Sequence, residues 1–96
     1  MQITDVRIQL IKSPRSKLLA FAGLTFDDAL VIKDFQIFSS PRGCFVGMPS
    51  RKMPDNTWRE TVFAINTELA DEMKQTILRA YEDELSKPEN RPEHNP

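Results

Sequence analysis

The chain has 96 residues, which suffice for one domain with a single hydrophobic core and are too few for a second. Its formal net charge of −1 is unevenly distributed. Residues 1–66 hold nine Lys/Arg against six Asp/Glu, whereas residues 67–96 hold four Lys/Arg against eight Asp/Glu. The mildly basic first part weakly favours an anionic partner. No apolar run approaches the roughly 18 residues of a membrane span, and the single cysteine excludes an internal disulfide, so the composition favours the cytoplasm.

Alternation of apolar and polar residues predicts that the chain begins with a half-buried strand, in which Val6, Ile8 and Leu10 share one face. This alternation differs from the basic-then-apolar pattern of a signal peptide. Further strands are predicted at Leu18–Phe26, 30–38, 44–48 and about 57–63. Turns are expected at Asp27-Asp28 and at 39–43, because short strands separated by turn residues indicate an antiparallel meander.

The apolar period changes to three and four residues near residue 66, which predicts a long C-terminal helix. Asn66 or Thr67 can cap its first turn, and Ile65 is placed to act as a hydrophobic staple. We expect the apolar stripe of this helix to pack on the sheet, with a partner-binding groove as the alternative. The stripe consists of Leu69, Met73, Ile77, Ala80, Tyr81 and Leu85.

The last residues, 86–96, contain three prolines and almost nothing apolar, so a disordered tail is predicted there. The folded domain is therefore expected to span residues 1–85. Its predicted class is α+β, with a small antiparallel sheet of about five strands followed by the C-terminal helix.

Residue types that carry catalysis or hold metals are scarce. The only histidine, His94, lies in the predicted tail, and Cys44 has apolar neighbours that indicate a buried packing thiol. Asp27 and Asp28 are adjacent, and neighbouring side chains of an extended chain point to opposite sides, so a turn is favoured over a cation site. The glycines also never approach phosphate-loop spacing. From these absences together we expect no enzyme, no cofactor, no metal and no small-molecule substrate.

A set of cations lies around the fourth predicted strand and its return strand. Guanidinium groups contact phosphate through two hydrogen bonds, and lysine adds a mobile point charge, so the set indicates nucleic-acid binding, with an ordinary solvated surface as the alternative. Arg51 and Lys52 are predicted at the tip of a hairpin. The set consists of Arg42, Arg51, Lys52 and Arg59.

Two prolines flank the predicted tip, and they restrict the unbound loop and lower the cost of ordering it on binding. They are Pro49 and Pro54. Ser50 and backbone amides nearby are expected to add phosphate contacts. Trp58 either stacks on a base or lies in the core.

One helix cannot cover both faces of a five-stranded sheet. The remaining apolar strand residues would then form an exposed patch, and such patches usually mark an interface. We therefore expect a homodimer, which would double the cations on one surface. The residues expected in the patch are Phe21, Phe35, Phe38 and Phe45.

Several segments of the chain resemble the SpoVG family (stage V sporulation protein G). They are ITDVRI at 3–8, FAGLTFDDALVIKDFQI at 21–37 and GCFVGMPSRK at 43–52, followed by Asp55 and Trp58-Arg59. The resemblance covers about residues 1–85, and its FVxMPSRK block is specific to the family. It implies a small bacterial α+β dimer that binds DNA and RNA and influences septation, sporulation and gene expression, without catalysis or a cofactor.

Carried over residue by residue, the family's MPSRK segment falls on residues 48–52 and the arginine that follows it on Arg59. The chain departs from the family where a histidine and a proline are replaced by Phe63 and Ala64, and where Asn56 replaces a turn glycine. Asn56 still tolerates the left-handed conformation. The sequence thus predicts a regulator that binds DNA or RNA; the alternative is a non-enzymatic protein-interaction adaptor of the division machinery.

Overall fold

The computed structural model describes residues 1–12 and 16–87, which form a four-stranded antiparallel sheet, a separate two-stranded hairpin and one helix. The predicted α+β class is confirmed, with six strands in two sheets where about five strands in one sheet were expected. The elements are β1 (Ile3–Leu10), β2 (Leu18–Phe26), β3 (Leu30–Ser40), β4 (Gly43–Gly47), β5 (Ser50–Lys52), β6 (Trp58–Glu60) and α1 (Thr67–Ser86).

The four long strands form a meander in chain order, β1-β2-β3-β4. The predicted turn between β2 and β3 is confirmed, since Asp27 and Asp28 both have φ of 53° and the amide of Ala29 donates to the carbonyl of Phe26 at 2.9 Å. Two residues with positive φ match the right-handed twist of the strands that they connect.

A bulge in β3 determines which side chains of that strand face the helix. Ile32 pairs with Leu24 and Phe35 pairs with Ala22, so β3 has one more residue than β2 between these pairs. Asp34, with φ of 72°, lies in this bulge. Phe35 is therefore on the helix-covered face and is fully buried, so its predicted place in an exposed patch was wrong.

The core lies between one face of the sheet and α1. From the helix, Met73, Ile77 and Tyr81 are buried, which confirms that the centre of the predicted stripe packs on the sheet. The opposite face of the sheet has no helix against it within the described residues. The strand residues of the core are Ala20, Ala22, Leu24, Phe26, Phe35, Ile37 and Val46, joined by Met48.

The start of α1 is fixed by a polar cap. Asn66 has extended backbone angles, and its side-chain oxygen accepts from the amide of Leu69 at 2.9 Å, which confirms one of the two predicted caps. Ile65 is 95% exposed, so the predicted hydrophobic staple is absent. The side chain of Ile65 therefore contributes no hydrophobic stabilisation to the start of the helix.

The helix ends one residue beyond the predicted domain limit, at Ser86. The remainder of the predicted tail from residue 88 onward, including His94, lies outside the described residues, as do residues 13–15. Across the part of the chain that the structure describes, no helix is long and apolar enough to cross a membrane.

Candidate nucleic-acid interface

The cations lie on a hairpin of their own, which is anchored to the core at its base. Met48 is buried and Pro49 is buried beside it, immediately before β5. The carbonyl of Pro49 accepts from the amide of Thr61 at 2.8 Å and from its hydroxyl at 3.2 Å, which closes the base of the hairpin. Since the anchor is buried and the strands beyond it are exposed, the hairpin presents its side chains to solvent.

The hairpin turns at residues 53–57, beyond Arg51 and Lys52. Arg51 and Lys52 belong to β5 and are not at the tip, so that placement was wrong. The amide of Met53 donates to the carbonyl of Thr57 at 2.7 Å, and the amide of Asn56 donates to Met53 at 2.9 Å. Asn56 has φ of 69°, which confirms the expectation that it adopts the left-handed conformation.

A side-chain network at the tip holds the turn closed. The carboxylate of Asp55 accepts from the hydroxyl of Thr57 at 2.6 Å and from its amide at 3.0 Å. These hydrogen bonds, led by the one from the hydroxyl, hold the pKa of Asp55 below its usual value. The turn is thus stabilised by the ionised form of Asp55.

Arg51 and Arg59 are direct partners across the hairpin. The backbone bonds at the base and at the tip of the hairpin fall two residues to either side of this pair, which makes it a hydrogen-bonded pair with Cα atoms about 5.5 Å apart. Both side chains are exposed, and opposite partners share a face. Within residues 1–12 and 16–87, neither guanidinium lies in an ion pair, whereas that of Arg7 contacts Asp5 at 3.0 Å.

The other face of the hairpin carries different chemistry. Lys52 pairs with Trp58, and Ser50 pairs with Glu60. Lys52 therefore points away from Arg51, as neighbours along a strand do. Trp58 is 64% exposed, so of its two predicted roles the one in the core is excluded.

Arg42 lies apart from the hairpin, in the turn between β3 and β4. The hydroxyl of Ser40 accepts from the amide of Arg42 at 3.3 Å and donates to the carbonyl of Gly43 at 2.6 Å. All of β4 separates this turn from the hairpin along the chain. The five predicted site residues thus fall into two groups, four on the hairpin and Arg42 on a different turn.

Beside the hairpin, the open face of the sheet carries aromatic side chains. Phe38 pairs with Leu18 on one side and with Phe45 on the other, so the three form a row. The rings of Phe38 and Phe45 stack with centroids 5.3 Å apart. Gly47 leaves room for Phe38, because a Cβ on this glycine would lie 3.0 Å from the Phe38 ring.

A cleft of about 580 Å³ lies between this face and the hairpin. It was not predicted from the sequence, although a glycine within β4 is the kind of residue that indicates close approach of another group. Phe38 and Trp58 both border it. The complete lining is Ser16, Leu18, Gln36, Phe38, Gly47, Met48, Ser50, Trp58 and Glu60.

Cys44 is exposed, so the prediction of a buried thiol was wrong. It pairs with Ser39 near the start of β4, two residues before the buried Val46. Burial raises the pKa of Tyr81, and the nearby Cys44 raises it further. No group of three or more potential metal ligands occurs among the described residues.

Comparison with known proteins identifies relatives over nearly the whole chain. A family model described as SpoVG matches residues 1–83. A protein of Clostridium beijerinckii named "Putative septation protein SpoVG" is 41% identical over 86 residues, which cover 90% of this chain and 93% of the relative. A protein of the same name from Phytoplasma australiense is 38% identical over 94 residues, which cover 97% of both chains. Another from Acetivibrio thermocellus is 42% identical over 82 residues, which cover 85% of this chain and 86% of the relative.

Proposed function

The chain belongs to the SpoVG family, and from that premise we propose that it is a non-catalytic regulator that binds DNA or RNA through the β5–β6 hairpin. Through this binding it would influence septation, sporulation and gene expression from the cytoplasm. Arg51 and Arg59 would contact the phosphates of the nucleic acid.

The observation that supports the proposal most is the pairing of these two arginines. Like charges directly opposite each other in an antiparallel pair destabilise it, on a scale of roughly 0.2–1 kcal/mol. In the described chain no carboxylate relieves the repulsion between Arg51 and Arg59. A phosphate placed between the guanidiniums would relieve it and accept several charge-assisted hydrogen bonds.

The remaining cations would extend the contact along the backbone of the nucleic acid. Lys52 is exposed on the opposite face, and Ser50, on the same face as Lys52, is half-buried and borders the cleft. Arg42 would contact a more distant phosphate from the β3–β4 turn. Contacts of this kind fix the position of the nucleic acid and carry no sequence information.

A homodimer forms part of the proposal. Phe45 is 50% exposed on β4, at the edge of the sheet, and an unpaired edge strand beside exposed apolar groups favours association with a second copy. Two protomers would present two arginine pairs on one particle. Sedimentation at micromolar concentration tests the dimer, and a monomeric mass would contradict it.

One observation favours a second candidate function, an adaptor of the division machinery. Phe63 and Ile65 are 63% and 95% exposed in the segment between β6 and α1. Two apolar side chains held out near one another fit a protein partner better than a phosphate. A pull-down of division proteins that survives nuclease and the loss of both hairpin arginines would support the adaptor.

The proposal is tested by a titration of nucleic acid with the full chain and with the variant Arg51→Ala/Arg59→Ala. The matched control is Arg7→Ala/Arg79→Ala, which also removes two charges, from two exposed arginines outside the hairpin. We expect the double variant to bind at least tenfold more weakly at low salt and the control to bind like the unaltered protein. Equal loss in both variants would show that only net charge matters and would contradict the assignment.

A further inference from the structure

We propose that the cleft between the open face of the sheet and the β5–β6 hairpin binds an unstacked nucleobase, so that the protein prefers single-stranded to duplex nucleic acid. This inference rests on the proposed function, because it names the form of nucleic acid that the same hairpin binds. The base-binding cleft and the proposed phosphate site use different surfaces, because Arg51 and Arg59 lie on the face of the hairpin away from the cleft.

Two aromatic side chains border the cleft and offer it a stacking surface. Phe38 is held in place by the stacked ring of Phe45 at 5.3 Å and by the missing side chain of Gly47. Trp58 approaches from the hairpin and is 64% exposed, so its ring is accessible to a ligand. Aromatic side chains of this kind stack on bases in proteins that bind single strands.

Polar side chains border the same cleft and suit the edge of a base. Gln36, Ser50 and Glu60 all reach it. Within the part of the chain that the structure describes, none of the three side chains is engaged in a hydrogen bond. They are therefore available to a ligand.

Glu60 indicates which part of a nucleotide enters. An ionised carboxylate only accepts hydrogen bonds and repels phosphate, so the cleft suits a base and not the backbone. The carboxylate of Glu60 can accept hydrogen bonds from exocyclic amino groups. Adenine, cytosine and guanine carry such a group, whereas uracil and thymine do not. We therefore expect bases with an amino group to bind more tightly.

Lys52 does not line the cleft, but it lies on the same face of the hairpin as Trp58 and Glu60. It stands opposite Trp58 in a non-hydrogen-bonded pair, the closer of the two kinds of antiparallel pair. Its ammonium group is thus placed to contact the phosphate of the nucleotide whose base stacks on Trp58. A second copy of the chain suits the cleft less well, because burying Lys52 and Glu60 against apolar groups would be costly.

A duplex cannot reach this site without disruption. Its bases are stacked and paired, so moving one out of the helix costs free energy. The bases of a single strand are already unpaired, so this cost is smaller for them. The phosphates of a duplex remain accessible to Arg51 and Arg59. Duplex binding is therefore expected to persist at reduced affinity and to leave the environment of Trp58 unchanged.

Trp58 is the only tryptophan of the chain, so its fluorescence reports on the cleft directly. The experiment titrates the full chain with 12-nucleotide strands of adenine, cytosine or uracil and with a 12-base-pair duplex. We expect single strands with adenine or cytosine to quench the emission and to bind about tenfold more tightly than the duplex. We expect uracil to bind less tightly than either.

Two variants separate this site from the arginine pair. Trp58→Leu, at an exposed position, should weaken single strands about tenfold and leave the duplex unaffected, as measured by anisotropy of labelled nucleic acid. Glu60→Gln should reduce the difference between cytosine and uracil. Circular dichroism confirms that each variant is folded.

The outcomes that would contradict this inference can be told apart from those that would contradict the proposed function. Unchanged emission with single strands that still bind, or a duplex bound as tightly as a single strand, overturns this inference and leaves the proposed function standing. Emission that changes with protein concentration alone shows that a second copy covers the cleft and also overturns it. Loss of all binding at low salt overturns both proposals.

Discussion

Arg51 and Arg59 face each other across the β5–β6 hairpin, so two exposed guanidiniums share one face of a two-stranded ribbon. Among the described residues neither has a carboxylate partner. The arrangement raises the free energy of the unbound hairpin, and an anion between the two groups would lower it.

Reversing one charge of the pair should separate stability from binding. Arg59→Glu places a carboxylate opposite Arg51, which replaces repulsion by attraction and should raise the free energy of unfolding by up to about 1 kcal/mol. Binding to nucleic acid should fall at least tenfold. Chemical denaturation and anisotropy measure the two effects, and a variant that is less stable yet binds normally would contradict the role given to the pair.

The turn at the tip should respond to acid. The pKa of Asp55 is lowered in the folded protein, so its contribution to stability is present above about pH 4 and is lost as the pH falls through the lowered folded value. Asp55→Ala should remove this pH dependence. Chemical shifts of Asn56 and Thr57, followed from pH 6 to pH 2, measure it. If the unaltered protein and Asp55→Ala show the same acid transition, the assignment of that transition to Asp55 is wrong.

Tyr81 should respond to alkali in the opposite sense. Its pKa is raised, first by burial and then by Cys44, so the folded protein binds the phenolic proton more tightly than the unfolded chain. The stability from this group is therefore present below about pH 10 and is lost as the pH rises through the raised folded value. Tyr81→Phe should flatten the stability curve above that pH in denaturant titrations, and a curve of unchanged slope would contradict the prediction.

Two isoleucines provide a matched test of the core. Ile77 is fully buried between α1 and the sheet, whereas Ile65 is 95% exposed. Ile77→Ala should lower the free energy of unfolding by about 2–5 kcal/mol, and Ile65→Ala should change it by less than about 0.5 kcal/mol. Similar losses in both variants, measured by thermal and chemical unfolding, would mean that Ile65 contacts the body of the protein.

Much of the fold could be predicted from local patterns. The bounds of Leu18–Phe26 were correct at both ends, because a run of strand residues stops at two aspartates that form the turn. The strand Ser50–Lys52 was missed, since its three residues are too few to show alternation. The bulge at Asp34 was missed as well, because nothing in the local pattern indicates an extra residue there.

The residues of the candidate site could be predicted, but their arrangement could not. Arg51 and Arg59 were both chosen for their chemistry and for a family motif. Their pairing depends on where the turn lies, because a displaced turn gives every strand residue a different partner. The cleft depends on tertiary structure, since Phe38 and Trp58 are distant in sequence and border one cleft only in the fold.

The central claim is that Arg51 and Arg59 act together on one phosphate. The most direct measurement is the slope of log affinity against log salt for Arg51→Ala, Arg59→Ala and the double variant on one duplex. Each phosphate contact contributes about 0.9 to this slope. We predict that the double variant loses about 0.9 per protomer and that each single variant loses much less, because the arginine that remains still contacts the shared phosphate. Losses that add in the double variant would show two independent contacts, and an unchanged slope in all three would show none.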